Sequence, residues 1–190
     1  MSRVFIVSDP HFSHKRISFF CPSTRPDVDS NVMNQKMIHQ WQAQVRPNDV
    51  VYILGDVFFC NAEEAIKIID RLPGQKHLIF GNHDNVIHSN STLRSRFVST
   101  AHYKEVNIKG HNFILFHYPI HEWHKIQRGA IHCHGHIHSP RSGVEGRIVN
   151  VCMDSAEMFT GVPYALYPIE DVIAHALKQP VRGHHDKVAD

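Results

Sequence analysis

The sequence predicts an α/β fold with βαβ units in its first half. Three features predict it. Short apolar runs recur, each bounded by turn residues. Helically spaced apolar residues separate the first three runs. A carboxylate or an imidazole follows most of the runs directly. Strand, helix and strand at this rhythm build parallel pairs joined by crossover helices.

The elements follow in order. Val4–Val7 reads as a buried strand, too short for a signal segment or a membrane span. Residues Val32–Val45 carry Val32, Met37, Ile38, Trp41 and Val45 at roughly helical spacing, and Pro47 bars continuation. Val50–Leu54 is the second strand. Ala62–Leu72 is a second helix, with Asn61 as N-cap and Pro73-Gly74 as its stop. His77–Phe80 is the third strand. Tyr103–Ile108, Lys109-Gly110 and His111–Phe116 form a hairpin, with Phe113–Phe116 as its apolar run. Ile148–Val151 is another strand, and Ile169–Leu177 is a last amphipathic helix. The second half therefore reads as more antiparallel than the first.

The expected organisation is one domain over residues 1–180, with a polar, frayed tail at 181–190. His184 and His185 belong to that tail rather than to a site. The chain has 190 residues, 42% hydrophobic and 20% charged, an ordinary globular composition. A net charge of +2 is too weak to argue for nucleic acid or a membrane surface. Four cysteines without a C-x-x-C pair fit reduced thiols in a cytoplasmic protein. No membrane association is expected.

The stretch "IHCHGHIHSP" sets His132, His134, His136 and His138 at a period of two. In a strand all four would share one face. Alone, that fits a solvated edge or a metal site equally. The rest of the chain decides. "SDPHF" puts Asp9 and His11 after the first strand. "GDVFF" puts Asp56 after the second, and "GNHDN" puts Asn82, His83 and Asp84 after the third. "HYP" places His117, and "HGHIH" places His136 and His138. Ligands bind at the carboxyl ends of strands in open α/β sheets. Asp9, His11, Asp56, Asn82, His117, His136 and His138 make seven oxygen and nitrogen donors. They exceed one tetrahedral site and fit two metals whose shells water completes. "HEWH" at His121–His124 has the wrong spacing for a zinc-protease helix, and Trp123 reads as a packing residue or a pocket-mouth residue.

The five motifs Asp9-Pro10-His11, Gly55-Asp56, Gly81-Asn82-His83-Asp84, His117 and Gly135-His136-Ile137-His138 resemble the series of the calcineurin-like metallophosphoesterase superfamily. The likeness runs from residue 4 to about residue 140. It is strongest to small bacterial and phage members of predicted phosphoesterase type, through Ser8–His14, His117–Pro119 and Asn150–Asp154. The resemblance implies a four-layer α-β-β-α sandwich of two mixed sheets. It implies that one metal takes Asp9, His11, Asp56 and His138. The other takes Asp56, Asn82, His117 and His136, so Asp56 bridges. His132 and His134 are then structural or supporting.

The expected activity is hydrolysis of a phosphate ester, with a metal-bridging hydroxide attacking phosphorus. His83 would be the general acid, and Asp84 would hold its imidazole. His14, Arg16 and Arg25 would grip the substrate phosphate, with Lys15 beside them, and Asn150 and Asp154 would support the ligands. Manganese is the first expectation for the two divalent ions, with iron, zinc, nickel and cobalt accepted by the same donors. Phosphodiesters of nucleotides or nucleic-acid ends are preferred as substrates over phosphomonoesters or phosphoproteins. A catalytically silent binding scaffold of the same fold would lack ligands, and none is missing.

Overall fold

The computed structural model describes residues 2–139 and 142–183. His184 and His185 lie outside the described residues. Strands are β1 (Val4–Val7), β2 (Val50–Ile53), β3 (Gln75–Ile79), β4 (Ser99–Ala101), β5 (Tyr103–Ile108), β6 (His111–Phe116), β7 (Ile131–His134), β8 (Ile148–Asn150) and β9 (Tyr167–Pro168). Helices are α1 (Ile17–Phe20), α2 (Ser30–Gln44), α3 (Ala62–Ile69), α4 (Asn85–Ser89), α5 (Ser91–Arg94), α6 (Ala156–Thr160) and α7 (Ile169–Leu177).

Two mixed sheets result, ordered β4-β3-β2-β1-β9 and β5-β6-β7-β8. Strands β1 to β4 run parallel, and β9 joins β1 antiparallel. Alternation divides the core. Phe5 and Val7 of β1 pack with Met37, Trp41 and Ile68 under α2 and α3. Ile6 points the other way, among Phe113, Leu115 and Val149 between the sheets. Asn61 caps α3, its side-chain oxygen accepting from the Glu64 N–H at 2.9 Å, as its position in the sequence implies. Helix α7 packs against β1, β8 and β9, closing the edge the sheets share. The outer face of the second sheet lies under residues 120–130, which contain a 3₁₀ turn, Ile126–Arg128.

The hairpin β5–β6 forms as expected, with Lys109 and Gly110 both at positive φ. The rest of the second sheet corrects the sequence reading, because β6, β7 and β8 are parallel. Residues 117–130 and 135–147 are long enough to carry each chain crossover back to the starting end. That direction matters for the site. A parallel bridge between Ser8 and Cys152 ties the end of β1 to the end of β8. The carboxyl ends of both sheets therefore meet in one place. Strand β4 was not legible, since Ser-Thr-Ala presents no apolar run.

Candidate metal centre

The loops after β1, β2 and β7 hold unusual backbone. Asp9 and His11 have φ of 54°, Asp56 of 55° and His136 of 67°. L-residues enter this left-handed region at a cost of about 1–3 kcal/mol, and such strain persists where surroundings over-determine it. Here the surroundings are visible. The Asp9 N–H donates to the Gly55 carbonyl at 3.0 Å, and the His11 N–H to the Asp56 carbonyl at 3.2 Å. The buried Asp84 carboxylate accepts from the N–H groups of Asp56, Val57 and Gly81 at 3.0, 2.9 and 2.8 Å. Two glycines are required by close approach. A Cβ on Gly81 would overlap the Asp56 carboxylate, and one on Gly135 would overlap Ser8 Oγ and the Asp9 carboxylate.

All seven expected donors converge, and they alternate. His138 Nε2 lies 3.9 Å from Asp9 Oδ1, which lies 3.6 Å from His11 Nε2. His11 Nε2 lies 3.7 Å from Asp56 Oδ2, which lies 3.6 Å from His117 Nε2. His117 Nε2 lies 3.0 Å from Asn82 Oδ1, which lies 3.1 Å from His136 Nδ1. Imidazole nitrogens and oxygens thus run in one chain with Asp56 at its centre.

The donor atoms fit a divalent cation. Asp9 Oδ1 and His11 Nε2 are buried and have no hydrogen-bond partner. A buried polar atom left unpaired costs about 1–3 kcal/mol, and a cation among these would remove that cost. Second contacts also orient the rings. His117 Nδ1 lies 2.7 Å from the Leu54 carbonyl, which can only accept, so Nδ1 carries the proton and Nε2 faces the site. His138 Nδ1 likewise lies 2.7 Å from Asp154 Oδ2.

Burial pushes the Asp9 and Asp56 carboxyls up. Contacts with His11 and His117 more than reverse this, leaving both below their ordinary values. Asp84 differs, because burial leaves its carboxyl raised. Burial also lowers the pKa values of His14 and His136. Burial opposes the charge on Asp154, yet the Arg25 guanidinium holds its carboxyl far below the usual range.

The remaining expected residues separate. His83 is exposed, its N–H donating to Asp56 Oδ1 at 2.8 Å and its ring 5.0 Å from that of Phe59. Asp84 corrects the sequence reading: its carboxylate accepts from the three backbone N–H groups and does not hold the His83 imidazole. Arg25 is also corrected. It is wholly buried, bonded to Asp154 and to the Asp9 and Pro10 carbonyls, and cannot reach a substrate. His14 stands beside His11 with ring centres 5.4 Å apart, and Arg16 is exposed at the rim. Asn150 donates to the Ile137 and Ser139 carbonyls, bracing the loop that carries His138. His132 and His134 are buried within β7, and neither belongs to the donor chain. Trp123 packs, its Nε1 donating to the Ala130 carbonyl at 3.0 Å.

Sequence reasoning passed over Phe20 and Phe59. They line a cavity of about 420 Å³ beside His11, His83 and His138. The "FF" pairs following the first two motifs were the available signal.

Known proteins resemble this chain in sequence and in fold. A family model described as the calcineurin-like phosphoesterase superfamily domain matches residues 2–166. An uncharacterized protein of Methanocaldococcus jannaschii is 30% identical over 141 residues, covering 73% of this chain and 71% of its own. The gene 66 protein of Mycobacterium phage D29 is 30% identical over 164 residues, covering 73% of this chain and 80% of its own. The crystal structure of a protein of unknown function from Aquifex aeolicus shares the fold. Its TM-score is 0.69 at 22% identity, covering 92% of this chain and 100% of that one.

Proposed function

The chain belongs to the calcineurin-like phosphoesterase superfamily of metal-dependent phosphoesterases, and we propose that it hydrolyses phosphodiesters with two divalent cations. The alternating donor chain carries this reading. Asp56 Oδ2 stands between two groups of three: His138, Asp9 and His11 on one side, His117, Asn82 and His136 on the other. Each group with Asp56 makes a four-donor set of mixed oxygen and nitrogen, the type manganese, iron, zinc, nickel or cobalt accepts. Bound cations supply Lewis acidity toward phosphoryl oxygens and lower the pKa of water at the site.

The protein's own groups do the rest. Asp84 locks the Asp56 and Gly81 loops, so the central carboxylate is fixed before substrate arrives. Leu54 and Asp154 fix the His117 and His138 rings. His83 is exposed at the cavity, where its imidazole can deliver a proton to a departing oxygen. Its backbone tie to Asp56 sets the imidazole's distance from the donor chain.

The diester preference rests on charge and shape. The cavity beside His83 is lined by imidazoles, aromatics, Ile17 and Cys21, without a lysine or an arginine. Arg25 is committed elsewhere, which leaves a dianionic monoester only Arg16, at the rim against Phe20. A monoanionic diester needs fewer cations and brings a second organic group that suits an apolar wall.

The test pairs metal analysis with two substrates. Manganese-loaded protein is expected to hold two equivalents and to hydrolyse bis-p-nitrophenyl phosphate faster than p-nitrophenyl phosphate, with Asp56→Asn inactive. One equivalent would sink the dinuclear reading. Faster monoester hydrolysis would sink the diester preference and direct attention to phosphorylated metabolites and phosphoproteins.

A further inference from the structure

We propose that the cavity beside the donor chain is a stacking subsite for a flat nucleobase, so that the preferred diesters are nucleotide-like. This rests on the diester reading above. The cavity joins chemistry to an aromatic wall. His11, His83 and His138 line it, and so do His14, Phe20 and Phe59. Ring centres lead outward in steps: His138 to His11 at 4.8 Å, His11 to His14 at 5.4 Å, and His14 to Phe20 at 6.2 Å. Phe59 lies 4.2 Å from His14 and 5.0 Å from His83, which binds the wall to the exposed imidazole. A phosphorus seated on the donor chain therefore has aromatic surface within one nucleotide's reach.

Phe20 is the informative residue. It is 64% exposed although it lines a cavity, and it ends the one-turn helix α1. Unlike its exposed neighbour Phe19, it lines the cavity, so an open ring face is available to a ligand seated there. The Arg16 guanidinium sits 5.6 Å from its ring centre and places a cation at the rim of the pocket. Aromatic faces with a neighbouring arginine are how proteins hold unpaired bases, because every base offers a π-face. The volume, about 420 Å³, lies within the range of small-molecule sites. Stacking tolerates any base, so the subsite selects a nucleotide without selecting its sequence.

The probes are adenosine 5′-monophosphate and ribose 5-phosphate, which differ only by the base. Each is titrated calorimetrically into manganese-loaded protein. Adenosine 5′-monophosphate is expected to bind about tenfold tighter, as one stacked base provides. Phe20→Ala should bring the two affinities together. Phe19→Ala, at a neighbour that is 72% exposed and outside the cavity, should leave the tenfold difference intact. Equal affinities in the unaltered protein, or a difference that survives Phe20→Ala, would overturn the inference. If bis-p-nitrophenyl phosphate is still hydrolysed in that case, only the subsite has failed. If neither probe binds and no diester is hydrolysed, the diester reading has failed and the subsite with it.

Discussion

Arg25 grips Asp154 with two parallel hydrogen bonds, Nε to Oδ1 at 3.0 Å and Nη2 to Oδ2 at 3.1 Å, wholly out of solvent. The same guanidinium donates to the Asp9 and Pro10 carbonyls, at 2.8 and 3.0 Å. Asp154 in turn accepts from His138. One buried ion pair therefore joins the loop of Asp9 and His11 to the loop of His138.

Removing either partner should cost stability, and removing Asp154 should cost metal binding as well. Arg25→Met strands a buried carboxylate, and urea denaturation should show a loss of about 3–5 kcal/mol. Asp154→Asn keeps the shape but gives the His138 ring a weaker acceptor. Manganese affinity is expected to fall about 10–100-fold, the usual effect of removing a ligand's outer partner. A variant that binds manganese as tightly as the parent would show that Asp154 serves only the fold.

His83→Ala should leave manganese content unchanged and lower turnover of diesters with poor leaving groups by about 10²–10⁴. The loss should be smaller with nitrophenolate leaving groups, which depart without a proton. Equal losses on both substrates would mean that His83 positions the substrate and donates no proton. Asp84→Asn tests the corrected role of its neighbour. An amide offers N–H groups where three backbone N–H groups now point, so destabilisation is expected before any change in pH profile.

Gly135→Ala asks whether the close approach at the site matters. The added Cβ would meet Ser8 Oγ and the Asp9 carboxylate, both fully buried. Overpacking of this kind costs about 1–3 kcal/mol, and here it displaces a metal donor as well. The expected outcome is a folded protein, shown by circular dichroism, with manganese affinity strongly reduced. Full metal binding would show that the loop can yield.

What the sequence disclosed follows from what is local. Asp9, Asp56 and His117 sit immediately past their strands, so spacing alone brought them to one end. Asn61 announced its helix by the same local logic. Strand direction is not local: the alternation of Ile131, His132, Cys133 and His134 in β7 reads the same in either sense, so the parallel course of β6 to β8 was missed. Contact at long range is equally silent. Arg25 and Asp154 are 129 residues apart, and nothing around "STRPD" says that its arginine turns inward. Asp84 was read from its neighbour in the motif, whereas the fold gives it the N–H groups of Asp56 and Val57 on another loop and of Gly81 on its own.

His132 offers a test that needs no metal. Burial, with His134 nearby, holds its pKa down to about 4. Both ring nitrogens face backbone carbonyls, Nδ1 at 3.1 Å from that of Ile114 and Nε2 at 3.1 Å from that of Tyr118, so the neutral ring donates to one of them. In the unfolded chain the same imidazole titrates near 6.5. Between those values the unfolded state binds a proton that the native state refuses, so stability falls as the pH drops from about 6.5 to 4. His132 accounts for up to about 3 kcal/mol of that fall. Urea midpoints of chelator-treated protein at pH 7 and pH 5 should therefore differ. His132→Gln should shrink the difference without abolishing it, because burial also holds His134 down to about 4. An identical difference in parent and variant would show that the acid sensitivity arises elsewhere.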